Sequence, residues 1–156
     1  RTHLQEGRVA RAALLLGRPY LLSGRVVRGN GRGRRLGYPT ANLYLPDPAK
    51  AIPRNGIYFV EVTVQREKAF GVASVGVRPT FETDGRRIVE VYILDFDRDI
   101  YDETVSVGFH ERLRDELKFE TPEDLIHQMH KDKQEALQLR TAAEKERGGE
   151  RPGKSV

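Results

Sequence analysis

The 156-residue chain contains no cysteine. That excludes disulfides and thiolate metal centres, and it suits a reducing compartment. No apolar run is long enough to cross a bilayer as a helix, and the first residues lack the apolar stretch of a signal peptide. A soluble, cytoplasmic protein with no membrane partner is expected. The chain begins at Arg1 rather than Met, so it reads as a piece of something longer or as a processed form. No internal repeat is visible. The Walker phosphate-binding pattern is missing, because no Gly-Lys-Ser/Thr stands at the required spacing. The dinucleotide fingerprint is missing too, since no glycine cluster opens a helix of a βαβ unit. His3, His110, His127 and His130 make no zinc pattern. Asp95, Asp97, Asp99 and Asp102 crowd one segment without the Gly and the terminal Glu that an EF-hand loop requires.

The length fits one domain and is enough to bury a core. The net charge of +4 is mild but unevenly spread. Arg1 to Arg35 holds nine arginines against one acid, Glu6, and the remainder is net negative. Such a segment suits an anionic ligand or a solvated basic surface, and charge alone does not separate the two. His3 to Leu16 has near-helical spacing of Val9, Ala13 and Leu16, stopped by Gly17 and Pro19. It is expected to lead into a domain rather than to form part of a core. Alternating or β-branched segments then follow at Leu21 to Arg28, Ile57 to Gln65, Phe70 to Val77, Ile88 to Phe96 and Thr104 to Phe109. A turn is expected at Asp84–Gly85. With no crossover helices between them, these segments predict an antiparallel barrel or sandwich. Thr121-Pro122-Glu123-Asp124 opens a long amphipathic helix to about Arg140. Beyond Ala143 the charged, Gly-rich end is expected to be disordered.

Chemistry concentrates in the long segment Gly29 to Ile52, unusual for a plain connection. Gly29, Gly31 and Gly33 let backbone amides approach an anion, and Arg32, Arg34 and Arg35 add donors for phosphate oxygens. The alternative is a solvent-exposed connection. Thr40 and Asn42, two residues apart after Pro39, share a face if extended and offer hard oxygens of the kind Mg²⁺ takes. Their alternative is a local turn cap. Glu90 lies on the same strand face as Ile88, Tyr92 and Leu94. A partly buried carboxylate there suits a general base, against the plainer reading of an outward surface Glu. Arg114 and Phe119 precede the last helix and suit phosphate and an aromatic ring, or ordinary packing.

In order and spacing these segments resemble the riboflavin kinase family. The resemblance covers Tyr20 to about Arg140. It rests on Gly31-Arg-Gly with Leu36-Gly-Tyr-Pro-Thr-Ala-Asn42, on Asn55-Gly-Ile-Tyr58, and on Val75-Gly-Val-Arg-Pro-Thr-Phe81. Val89-Glu-Val-Tyr-Ile-Leu-Asp-Phe96 and Leu113-Arg with Lys118-Phe119 complete it. Arg8 to Tyr20 is similar to the junction before this module in bacterial bifunctional riboflavin kinase/FAD synthetases. The resemblance implies a mainly β protein, a six-stranded antiparallel Greek-key barrel with a long C-terminal helix and a short N-terminal one. It divides the chain into a helical junction over 1–18, the kinase barrel with its helix over 19–143, and a disordered tail over 144–156. It implies transfer of the ATP γ-phosphoryl group to riboflavin with Mg²⁺, and an adenylyltransferase domain elsewhere in the full-length protein. Glu90 matches the base, and Thr40 and Asn42 the metal and phosphate positions. The glycines Gly29, Gly31 and Gly33 and the arginines Arg32, Arg34 and Arg35 fall in the ATP loop, with either Arg34 or Arg35 on phosphate. Tyr101 matches a further nucleotide contact, although Asp102 follows it where many relatives have Gly. Arg114 and Phe119 match flavin-side positions. Rival readings are a nucleic-acid-binding small barrel, a flavin-binding redox barrel and a non-catalytic copy of the kinase. A nucleic-acid platform would interleave aromatics with its basic residues, and here Tyr20 stands alone among the arginines.

Overall fold

The computed structural model describes residues 2–27, 40–47, 50–77 and 87–150. Two short helices, α1 (Thr2–Gln5) and α2 (Val9–Leu16), lead into six strands and one long helix. The strands are β1 (Tyr20–Val27), β2 (Ala41–Tyr44), β3 (Gly56–Val64), β4 (Glu67–Val77), β5 (Arg87–Ile93) and β6 (Thr104–Arg114), followed by α3 (Pro122–Glu150). All pairings are antiparallel, and the strands close into a barrel in the order β1-β2-β5-β4-β3-β6. Closure leaves no sheet edge to protect, and the fold expected from the sequence is the fold observed.

Alternation along each strand sends one set of side chains inward. Leu22, Val26, Tyr58, Val60, Val75, Val91 and Phe109 belong to the buried core. Tyr58 and Phe109 meet edge to face at 5.3 Å. A second apolar cluster lies on the outer face, where Phe59, Phe70 and Leu94 pack with Ala136 of α3. The helix thus covers part of one outer wall.

Several boundaries differ from those expected. The N-terminal helix is broken at Gly7, which takes a left-handed φ of 80°. Its parts also do not stand apart from the barrel. Leu4, Val9 and Ala12 are buried in the main core. β2 falls inside the long Gly-rich segment, where four residues are too few for alternation to announce a strand. β5 stops at Ile93 rather than Phe96, because Asp95 turns the chain with φ 51°. β6 runs five residues past Phe109, its polar end held by pairing with β3 through two register shifts. α3 begins as expected, the Thr121 hydroxyl accepting from the Asp124 amide at 3.1 Å, but it does not end near Arg140. Residues 144–150, expected to be disordered, are helical. Glu144, Lys145, Glu146 and Arg147 are good helix formers, and Arg147 clamps Glu61 of β3 with two bonds of 2.6 and 2.9 Å. The rest of the expected tail, 151–156, and the expected turn at Asp84–Gly85 lie outside the described residues.

Candidate functional site

Strand register assembles the site. Asn42 of β2 faces Glu90 of β5, and Glu90 faces Ser74 of β4. Ser74 faces Ile57 of β3, which faces Arg114 of β6. On β2, β5, β4 and β3 their neighbours Leu43, Val89, Val91, Ala73, Val75 and Tyr58 point into the core. Asn42, Glu90, Ser74, Ile57 and Arg114 therefore form one row across the outer wall. Four of the five are half-buried, and Ile57 is buried. The next row, Tyr92, Val72 and Phe59, belongs to the cluster under α3. On the row's other side Gly76 lies beneath Glu116. A Cβ at Gly76 would require that exposed carboxylate to shift aside.

Thr40 sits at the mouth of this row. Its hydroxyl lies 3.4 Å from the Glu90 carboxylate, at the long limit of a hydrogen bond. Thr40 and Asn42 thus share one corner with Glu90, 50 residues on from Thr40. Their hydroxyl, amide oxygen and carboxylate are hard donors, the set a magnesium–phosphate complex takes. Among the described residues no group of three His, Cys, Asp or Glu side chains could hold a metal. Any cation here would lean on few protein oxygens and on its own phosphates.

Tyr101 approaches the same end of the barrel. Its turn is tied to β1, the Asp102 amide donating to the Val26 carbonyl at 2.8 Å. Asp102 holds a left-handed φ of 67°, the conformation a glycine adopts without strain and Asp tolerates. Residues 28–39 follow β1 and precede β2 in the sequence. Gly29, Gly31, Arg32, Gly33, Arg34 and Arg35 all lie there, outside the described residues, as do Arg78 to Phe81 of the third motif.

The flavin-side candidates have different surroundings. Arg114 is committed to protein groups. Its Nε and Nη2 donate to Asp132 at 2.9 and 2.7 Å, and Nη1 donates to the Asp115 carbonyl at 3.0 Å. Gln128 also donates to Asp132, at 3.0 Å. Phe119 is half-buried in the segment between β6 and α3. Beside that segment opens a polar cleft of about 550 Å³, lined by Gln5, Ile52, Arg54, Asn55, Arg87 and Glu116 together with Asp115. Here Asn55 of the second motif is clamped by two arginines. Arg87 donates to its side-chain oxygen and Arg112 to its carbonyl, both at 2.8 Å. Burial pulls the Arg87 pKa down, opposed by Tyr58 and Glu116. Burial raises that of the Tyr58 hydroxyl, with Arg112 opposing.

Three of these residues escaped sequence reasoning. Ser74 carries no local signal, since only register brings it beside Glu90. Arg87 looks like any charged residue at a strand start. Asp132 had a signal: it falls at helical spacing among Leu125, Met129 and Ala136, where an acid on the buried stripe requires a partner.

A closed six-stranded antiparallel barrel thus gathers hard oxygens and a carboxylate at one corner of its outer wall. The sequence profile described as Flavokinase: Riboflavin kinase matches residues 16–140, and the chain belongs to that family. It is 42% identical over 135 residues to the bifunctional riboflavin kinase/FMN adenylyltransferase of Listeria monocytogenes, covering 86% of this chain and 43% of that protein. It thus spans less than half the length of that curated relative. Among solved structures, the riboflavin kinase of Trypanosoma brucei superposes with a TM-score of 0.53 at 27% identity, over 78% of this chain and 76% of that one. A chain described as a macrolide-efflux protein from Streptococcus pneumoniae superposes with a TM-score of 0.79 at 45% identity, over 85% of this chain and 43% of that one. Among the described residues no helix is long and apolar enough to cross a membrane.

Proposed function

We propose that this chain transfers the γ-phosphoryl group of ATP to the terminal ribityl hydroxyl of riboflavin, giving FMN and ADP. The observation that carries the reading is the corner where Thr40, Asn42 and Glu90 meet on the outer wall. Phosphoryl transfer asks the protein mainly for alignment and charge neutralisation, with a base for the nucleophile. Glu90 takes the proton from the ribityl hydroxyl. The oxygen bonds to the γ-phosphorus, and the bond from that phosphorus to the bridging oxygen breaks to release ADP. Thr40 and Asn42 would hold Mg²⁺, which would neutralise phosphate charge. Amides and arginines of the Gly29–Arg35 segment bind the phosphates, a role supported by their sequence alone. Tyr101 contacts the nucleotide, and Phe119 and Arg114 border the flavin.

A longer protein that pairs this module with an adenylyltransferase half is the natural setting, supported by the bifunctional relative. The exposed Leu14, Leu15 and Leu16 at the end of α2 supply an apolar surface for such a neighbour. A cytoplasmic setting fits both the substrates and the lack of cysteine.

The test is chromatography of the products formed from riboflavin, ATP and Mg²⁺. FMN should appear only with all three present, and Glu90→Gln should lower turnover by about 10²–10⁴-fold while leaving the fold intact. A fully active Glu90→Gln protein would remove Glu90 from the role of base. Absence of FMN from folded wild-type protein would overturn the kinase reading.

A further inference from the structure

We infer that Ser74 is a specificity residue, reading the inner hydroxyls of the ribityl chain. The inference rests on the kinase reading above and extends it to a residue that neither motif nor charge singled out. Ser74 stands directly across from Glu90 on β4, on the side toward Ile57 and Arg114. Neighbouring strands are about 4.8 Å apart, so Ser74 lies about one spacing from the base and Arg114 about three. A flavin whose terminal hydroxyl meets Glu90 and whose ring reaches the Arg114–Phe119 side must carry its ribityl chain across the position between them. Ser74 and Ile57 stand there, and Ser74 is the polar one of the two.

The surroundings leave this hydroxyl little else to serve. Along the outer face of β4, Phe70 and Val72 belong to the apolar cluster under α3, and Gly76 is capped by Glu116. Ser74 is the one polar side chain on that face between Phe70 and Gly76, and it is half-buried. A hydroxyl both donates and accepts, so it suits a partner bearing hydroxyls of its own. An apolar residue there would leave an inner ribityl hydroxyl unpaired against the wall, which is the strong form of discrimination.

The experiment compares riboflavin with an analogue whose side chain is 5-hydroxypentyl. That analogue keeps the terminal hydroxyl and lacks the three inner ones. Wild type, Ser74→Ala and Ser74→Thr are assayed on both, with flavin affinity measured separately by fluorescence quenching. Ser74→Ala should lower kcat/KM for riboflavin about three- to tenfold, mainly through KM, with a matching rise in Kd. It should leave the analogue unchanged, and Ser74→Thr should restore most of the riboflavin preference. An equal loss on both substrates would mark Ser74 as merely structural and overturn the inference, as would no loss on either. If wild type forms FMN, these outcomes judge Ser74 alone. If it forms none, the kinase reading falls first and takes this one with it.

Discussion

Arg114 and Asp132 form a two-pronged ion pair, at 2.9 and 2.7 Å, that ties the end of β6 to the middle of α3. Asp132 is the one buried charged residue among those described, 5% exposed. Removing one partner of such a pair strands the other charge in a poorly solvated place. Asp132→Ala is expected to cost about 3 kcal/mol, read as a lower midpoint in urea unfolding. It should also raise KM for riboflavin, because Arg114 and the segment carrying Phe119 lose their anchor. A variant as stable as wild type would make the pair ornamental.

The far end of α3 gives a second prediction. Burial alone would push the Glu61 pKa up. The bonds and charge of Arg147 outweigh it, with help from His110 and Lys68, and hold the pKa below its ordinary value. A depressed carboxylate contributes stability that is complete above its unfolded value of about 4.3 and is lost as pH falls through the folded one. Glu61→Gln should therefore flatten the acid limb of a stability–pH curve. Arg147→Ala should cost about 1 kcal/mol at neutral pH and shorten the helix, measurable by circular dichroism.

His110 titrates in a different window. It abuts the stacked rings of Phe59 and Phe70, at 5.7 and 6.0 Å, with its Nε2 buried and unpaired. Burial holds its pKa below the ordinary value, Glu61 opposing and Arg147 reinforcing. The unfolded chain takes up this proton first. Stability should be complete above about pH 6.5 and fall as the pH drops through the depressed folded value. His110→Leu should remove that loss between neutral and mildly acidic pH, and should weaken the lower limb only in part, because Arg147 holds the Glu61 pKa down more than His110 does.

Thr40→Ala tests the metal side of the site. With the hydroxyl gone, more Mg²⁺ should be needed for half-maximal FMN formation, and the maximal rate should fall. An unchanged magnesium titration would remove Thr40 as a ligand.

Most of the barrel was legible because its strands alternate. Ile57 to Gln65 reads as a strand at sight, and the observed β3 runs from Gly56 to Val64. β2 was not legible, because its four residues are strands only by virtue of the neighbours they pair with. Thr40, Asn42 and Glu90 could be named one at a time from residue type and from family resemblance. Nothing local says that Asn42 and Ser74 flank Glu90, since register is a property of strand pairs. The helical end of α3 was hidden by composition: a charged stretch reads as solvated until Glu61, 86 residues away, is known to meet Arg147.

β2 spans four residues, and both its neighbours are fixed to it by register. Its outward Tyr44 is also covered by the Arg25 guanidinium, 5.5 Å from the ring centroid. The geometry of this corner is stored in counting rather than in shape. A side chain in this strand can be exchanged and leave its fellows in place. A single residue gained or lost between Thr40 and Tyr44 would turn Asn42 inward and swing its apolar neighbours out. In this family's descent, β2 should be a place where substitutions accumulate and insertions do not.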